Sequence, residues 1–132
     1  MITYPDQPDT DPFKDDLDIN NTLYVLRQPY TYVTQAKYTI TIPEGFKTDE
    51  TSVPRGMWTI VGVLPDGYYR CAAVIHDYLY STGGLNGVFV RKDCDKILLE
   101  LLTLQDVPYI QRKALYLAVR LFGGPHWKEK TE

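Results

Sequence analysis

The stretch Tyr69-Arg70-Cys71-Ala72-Ala73-Val74-Ile75-His76-Asp77-Tyr78-Leu79-Tyr80 constrains this chain more than any other. Ala72, Ile75 and Leu79, beside Ala73, His76 and Tyr80, recur at three and four residues, the period of a helix with one buried face. That period carries a titratable ring, His76, onto a face that must be covered. An unpaired polar group in an apolar interior costs about 2–7 kcal/mol. The fold must therefore bring His76 a partner, and the choice of partner separates a working site from a scaffold.

The rest of the second half supplies one. The first helix is expected over about Gly67 to Ser81, ended by Gly83-Gly84. A second covers about Arg91 to Leu104, with Cys94, Ile97, Leu98, Leu101 and Leu102 as its apolar stripe. Asp93 and Asp95 suit its first-turn dipole. A third starts at Asp106-Val107-Pro108 and ends at Gly123-Gly124-Pro125, with Ile110, Ala114, Leu117, Ala118 and Leu121 as its expected buried face. If the first two helices pack antiparallel across the short glycine-rich connection, His76 faces Asp95. A carboxylate bonded to one imidazole nitrogen fixes the tautomer and equips the other as a general base. Asp77 points elsewhere around the helix and suits a hard cation bound through oxygen.

The first half reads as strands. Leu23–Leu26, Tyr30–Val33 and Tyr38–Ile42 are rich in β-branched and aromatic residues, and the last run alternates apolar and polar. Gln28-Pro29 and Gln35-Ala36-Lys37 read as turns. The polar segment Phe46–Arg55 reads as an irregular loop shaped by Asp49 and Ser52, and Met57–Val63 as one or two helical turns. The expected fold is α+β. A small N-terminal antiparallel sheet or meander (strands in 19–46) precedes a loop over 47–66 and packs on a three-helix C-terminal layer over 67–122, making 19–132 one domain. Residues 1–18 carry six aspartates and three prolines and are expected to form an acidic arm without regular structure.

Composition narrows the function classes. A chain of 132 residues suits one domain. A net charge of −3 argues against a nucleic-acid binder, which shows a basic face. No run of 18 apolar residues marks a membrane span, and Met1 to Asp18 lacks the cationic start and apolar core of a signal peptide. Two cysteines, Cys71 and Cys94, make no disulfide framework and are expected to be reduced thiols in a reducing cytosol.

Two resemblances add to this reading. His-Asp-x-x-Tyr at 76–80, followed by Cys94-Asp95-Lys96, resembles the catalytic helix pair of secreted, calcium-dependent phospholipases. It implies His76 as the base that activates water, Asp95 as its orienting carboxylate, Tyr80 as a hydroxyl donor to Asp95, and Asp77 as a calcium ligand. Leu79 stands where that family has a disulfide cysteine, and only Gly62–Gly67 could replace its glycine-rich calcium loop. A longer series resembles a bacteriophage-associated family of domains of unknown function. It comprises Ile42–Asp49, Ser52–Arg55, Ala72–Tyr80, Asp95, Ala118–Gly123 and Trp127, a match over about 24–127. This resemblance implies a phage or prophage origin, synthesis in the host cytoplasm, and a loop bearing Asp49, Ser52 and Arg55 set against His76. Two functions are expected from the whole. One is a hydrolase-like protein acting through His76 and Asp95 on ester, phospholipid or other bacterial envelope bonds. The other is a non-enzymatic virion component, a tail or capsid accessory, partnered by virion proteins, in which the polar pair locks two helices together.

Overall fold

The computed structural model describes residues 2–4, 6, 8, 10–13, 23–48 and 70–127. Among these residues the strands are β1 (Ile2–Thr3), β2 (Thr10–Phe13), β3 (Leu23–Leu26), β4 (Tyr30–Val33), β5 (Thr39–Ile42) and β6 (Lys47–Thr48). They are followed by helices α1 (Arg70–Ser81), α2 (Gly83–Gly87), α3 (Arg91–Leu104) and α4 (Tyr109–Phe122), and by a 3-10 turn over Gly124–His126. The layout is α+β, strands first and helices after.

The strands divide into two three-stranded sheets, ordered β1-β4-β5 and β2-β3-β6. The β4–β5 hairpin aligns Tyr30 with Ile42 and Tyr32 with Ile40, so four large side chains enter the core from one face. Its turn needs the left-handed backbone of Lys37, at φ 73°, and is closed by Thr34, whose Oγ1 accepts from the Tyr38 amide at 3.0 Å. β3 pairs antiparallel with β2 and β6, so the short Arg27–Pro29 link switches the chain from one sheet to the other.

Two expectations are corrected here. The arm read as unstructured carries strands: β1 runs parallel to β4, and β2 pairs with β3. The Tyr4 hydroxyl donates to the Leu101 carbonyl of α3 at 3.0 Å, and the Tyr30 hydroxyl to the Asp6 carbonyl at 2.5 Å. Backbone pairing with distant strands orders a segment whose own side chains promise little burial. Likewise Lys47–Thr48, placed in the loop, extends the second sheet as β6. Residues 14–18 and the apolar run Met57–Val63 lie outside the described residues.

The core is one cluster in which Tyr30, Tyr32, Ile40 and Ile42 of the first sheet meet Cys71–Ile75, Leu79 and Tyr80 of α1. Leu98, Leu101 and Leu102 of α3 and Leu115 and Val119 of α4 complete it. The third-helix face is the further correction. Leu115, Ala118 and Val119 are buried, whereas Ile110, Leu117 and Leu121 are exposed. At about 100° per residue, Leu115, Ala118 and Val119 share one face and Leu117 and Leu121 lie far round the helix from it; Arg120 stands between the two and reaches Asp95 with its long side chain.

Candidate functional site

The link between α1 and α3 sets up the site. Gly83, Gly84, Leu85 and Asn86 all hold positive φ, between 56° and 73°, one turn of left-handed helix. Such backbone costs roughly 1–2 kcal/mol for an ordinary L-residue, so Leu85 is held under strain. Thr82 supports the turn by accepting from the Leu85 amide at 3.0 Å. A Cβ on Gly84 would lie 1.9 Å from the Phe89 carbonyl oxygen, so only glycine lets the chain fold back this tightly. The reversal returns α3 along α1 and sets Asp95 level with His76.

There the expected pair forms. His76 Nε2 lies 2.8 Å from Asp95 Oδ1, and both side chains are 0% exposed. One helical turn on, the Tyr80 hydroxyl donates to the same oxygen at 2.5 Å. The other oxygen, Oδ2, takes a charged hydrogen bond from Arg120 Nη1 at 2.7 Å. Arg91, opening α3, donates from Nε to the Tyr80 hydroxyl at 3.1 Å and from Nη2 to the Val119 and Arg120 carbonyls at 2.5 and 3.0 Å. It thereby ties the C-terminal end of α4, where a cation also suits the helix dipole, to the site. Gly123 is needed beside it, because a Cβ there would sit 2.8 Å from the Tyr80 hydroxyl. Trp127 closes this side, its ring edge-on to Tyr80 at 5.3 Å.

The electrostatics determine the protonation states. Burial alone would raise the Asp95 pKa, but hydrogen bonds from His76 and Tyr80, together with Arg120, outweigh it and hold the carboxyl below its usual range. Burial lowers the His76 pKa despite Asp95, and the Arg91 charge adds to that, so the ring is neutral at pH 7. An ionised carboxylate only accepts. Nε2 of His76 must therefore carry the proton, and the basic lone pair is on Nδ1. Burial, then hydrogen bonding to Asp95, raises the Tyr80 pKa, keeping it a hydroxyl donor.

The remaining candidates divide. Asp77 is half-buried on another side of α1 from His76. Among the described residues no group of three or more His, Cys, Asp or Glu side chains is placed to hold a metal. Asp49, Ser52 and Arg55 lie outside the described residues, as does the His126 side chain. Cys71 and Cys94 are buried and not disulfide-bonded, as expected, and burial pushes the Cys94 thiol up to about 12. Two members of the site, Arg91 and Arg120, were not singled out by sequence reasoning. For Arg120 a signal existed: it is a lone charge in the apolar run Leu117–Phe122.

The model for a protein of unknown function (DUF1353) matches residues 24–119. The uncharacterized protein y4jT of Sinorhizobium fredii (strain NBRC 101917 / NGR234) is 32% identical over 91 residues, covering 69% of this chain. The matched part is 26% of that relative, so this chain spans about a quarter of its length. No solved structure matches. Among the described residues no helix is long and apolar enough to cross a membrane.

Proposed function

The chain belongs to the DUF1353 family, and from that premise we propose that it is a hydrolase of ester or phospholipid bonds with His76 as its general base. The single observation that carries the proposal is the 2.8 Å bond from His76 Nε2 to an ionised, triply bonded Asp95, which puts the basic lone pair on Nδ1. In the reaction, which requires the seam to open because the ring is 0% exposed in this structure, Nδ1 takes a proton from water as the water oxygen bonds to the carbonyl carbon. Asp95 pairs with the imidazolium so formed. The tetrahedral adduct then collapses, the ester C–O bond breaks, and the departing alkoxide takes the proton from Nδ1. No step runs through a cation. Bacterial envelope lipid as substrate and a phage or prophage origin belong to the same proposal.

A second reading is favoured by a different observation. His76 and Asp95 are both sealed from solvent with their charge fully paired, as in a polar lock that fixes three helices. That reading fits a non-enzymatic virion component. His76→Asn separates the two. Asparagine can still donate to Asp95, so the fold should survive with a loss of about 1–2 kcal/mol. It cannot accept a proton near neutral pH, so hydrolysis should fall by about 10²–10⁴-fold. The assay uses short-chain ester and phospholipid substrates, with calcium, magnesium and zinc supplied in turn. If wild type hydrolyses none of them and the variant is impaired only in stability, the lock stands and the hydrolase does not.

A further inference from the structure

We propose that the outward face of α4, with the groove it forms against α3, docks on an anionic lipid bilayer. Ile110, Leu117 and Leu121 are 80%, 56% and 73% exposed and recur at seven and four residues, so they form one stripe along the helix. Tyr109 and Phe122, near the two ends of the helix, are also exposed, though off the line of the stripe. Beside the stripe runs a groove of about 460 Å³, whose lining includes Lys96 and Thr103 of α3, Lys113 and Tyr116 of α4, and Glu100, whose carboxylate accepts from the Tyr32 hydroxyl and the Gln35 amide. Lys113 Nζ lies over the Tyr109 and Tyr116 rings, at 5.7 and 6.0 Å. Among the described residues neither Lys96 nor Lys113 makes an ion pair.

Charge selects the occupant. α4 carries Arg112, Lys113 and Arg120 and no acidic residue. Pairing the stripe with that of a second copy about a two-fold axis at Leu117 would bring Lys113 of one chain against Arg120 of the other, like charge on like. Five exposed side chains also fall short of the roughly 20–30 residues a side of a stable protein interface. A lipid surface meets neither objection. The apolar ridge enters the boundary between headgroups and acyl chains, the two lysines reach lipid phosphate, and the tyrosines sit at headgroup level. The net charge of −3 belongs to the chain as a whole, and charges farther from this face than the screening length, about 8–10 Å, oppose docking little.

The inference is independent of the catalytic reading, because binding is read without turnover. The test floats the full chain with vesicles of phosphatidylcholine alone or mixed with equal phosphatidylglycerol, at low and high salt. Wild type and His76→Asn should float with the mixed vesicles only, and high salt should release them. Lys96→Gln with Lys113→Gln should weaken partition by about 25-fold, about five-fold for each lysine, and Leu117→Ser with Leu121→Ser should abolish it. Circular dichroism and thermal unfolding verify that each variant is folded. Wild type that stays unbound, or variants that float equally well, would overturn the proposal. So would a dimer in equilibrium sedimentation that Leu121→Ser dissolves, which would make a second copy the occupant.

Discussion

Helices α1 and α4 break the usual rule of helix burial in opposite directions. α1 takes polar groups inside: His76 and Tyr80 are buried, with hydrogen bonds and charge arranged around them. α4 leaves apolar groups outside, Ile110, Leu117 and Leu121, while sending a charged one, Arg120, toward the core. The interior seam and the exposed ridge should respond very differently to substitution.

The largest effect is expected at the seam. Asp95→Ala removes the acceptor shared by His76, Tyr80 and Arg120 and leaves buried donors and a cation unpaired. Breaking a buried pair from one side typically costs about 3–5 kcal/mol, so denaturant unfolding should show a loss of that order. A loss below about 1 kcal/mol, the scale of an exposed ion pair, would show that the seam does not hold α1, α3 and α4 together.

The seam should also make stability depend on pH in one direction. In the folded chain burial lowers the His76 pKa below the ordinary 6.5, to which the unfolded chain returns. Below about pH 6.5 the unfolded chain binds the extra proton, so stability falls as acid is added until the lowered folded value is reached. The slope in that window approaches about 1.4 kcal/mol per pH unit. Asp95 works in the same sense further down: its contribution is full above the ordinary 3.8 and is lost as pH falls through its lowered folded value. His76→Asn should flatten the upper part of the curve, and an unchanged slope would assign it to other groups.

The smallest effect is expected on the ridge. Leu117→Ser and Leu121→Ser remove apolar surface that the fold leaves in water, so each should shift stability by no more than about 0.5 kcal/mol. A loss near 2–5 kcal/mol, the range for emptying a core site, would show that α4 is buried in solution.

The legible parts of this chain were those coded locally. The three- and four-residue period placed His76 and Tyr80 on a buried face, and the glycine pair required a tight reversal, so Asp95 followed as the partner. Runs of β-branched and aromatic residues located β3, β4 and β5. The illegible parts depend on contacts distant in sequence. β1 and β2 pair with strand residues 10 to 28 positions away, so the polar composition of their segment carried no sign of them. α4 carries apolar residues on two opposite faces, and periodicity alone could not choose between the Leu117–Leu121 face and the Leu115–Val119 face. The face that is buried is the one whose Leu115 and Val119 pack with residues of α1 and α3, contacts distant in sequence.

The central claim is that Asp95 holds His76 as a neutral ring protonated on Nε2, with its basic nitrogen at Nδ1. Nitrogen-15 NMR of the two imidazoles reads this directly, His76→Asn identifying which signals belong to His76. At pH 7 the account predicts a protonated Nε2 and an unprotonated Nδ1, still neutral somewhat below pH 6.5, with that preference lost in Asp95→Ala as far as the variant stays folded. An imidazolium at pH 7, or a proton resident on Nδ1, would contradict it.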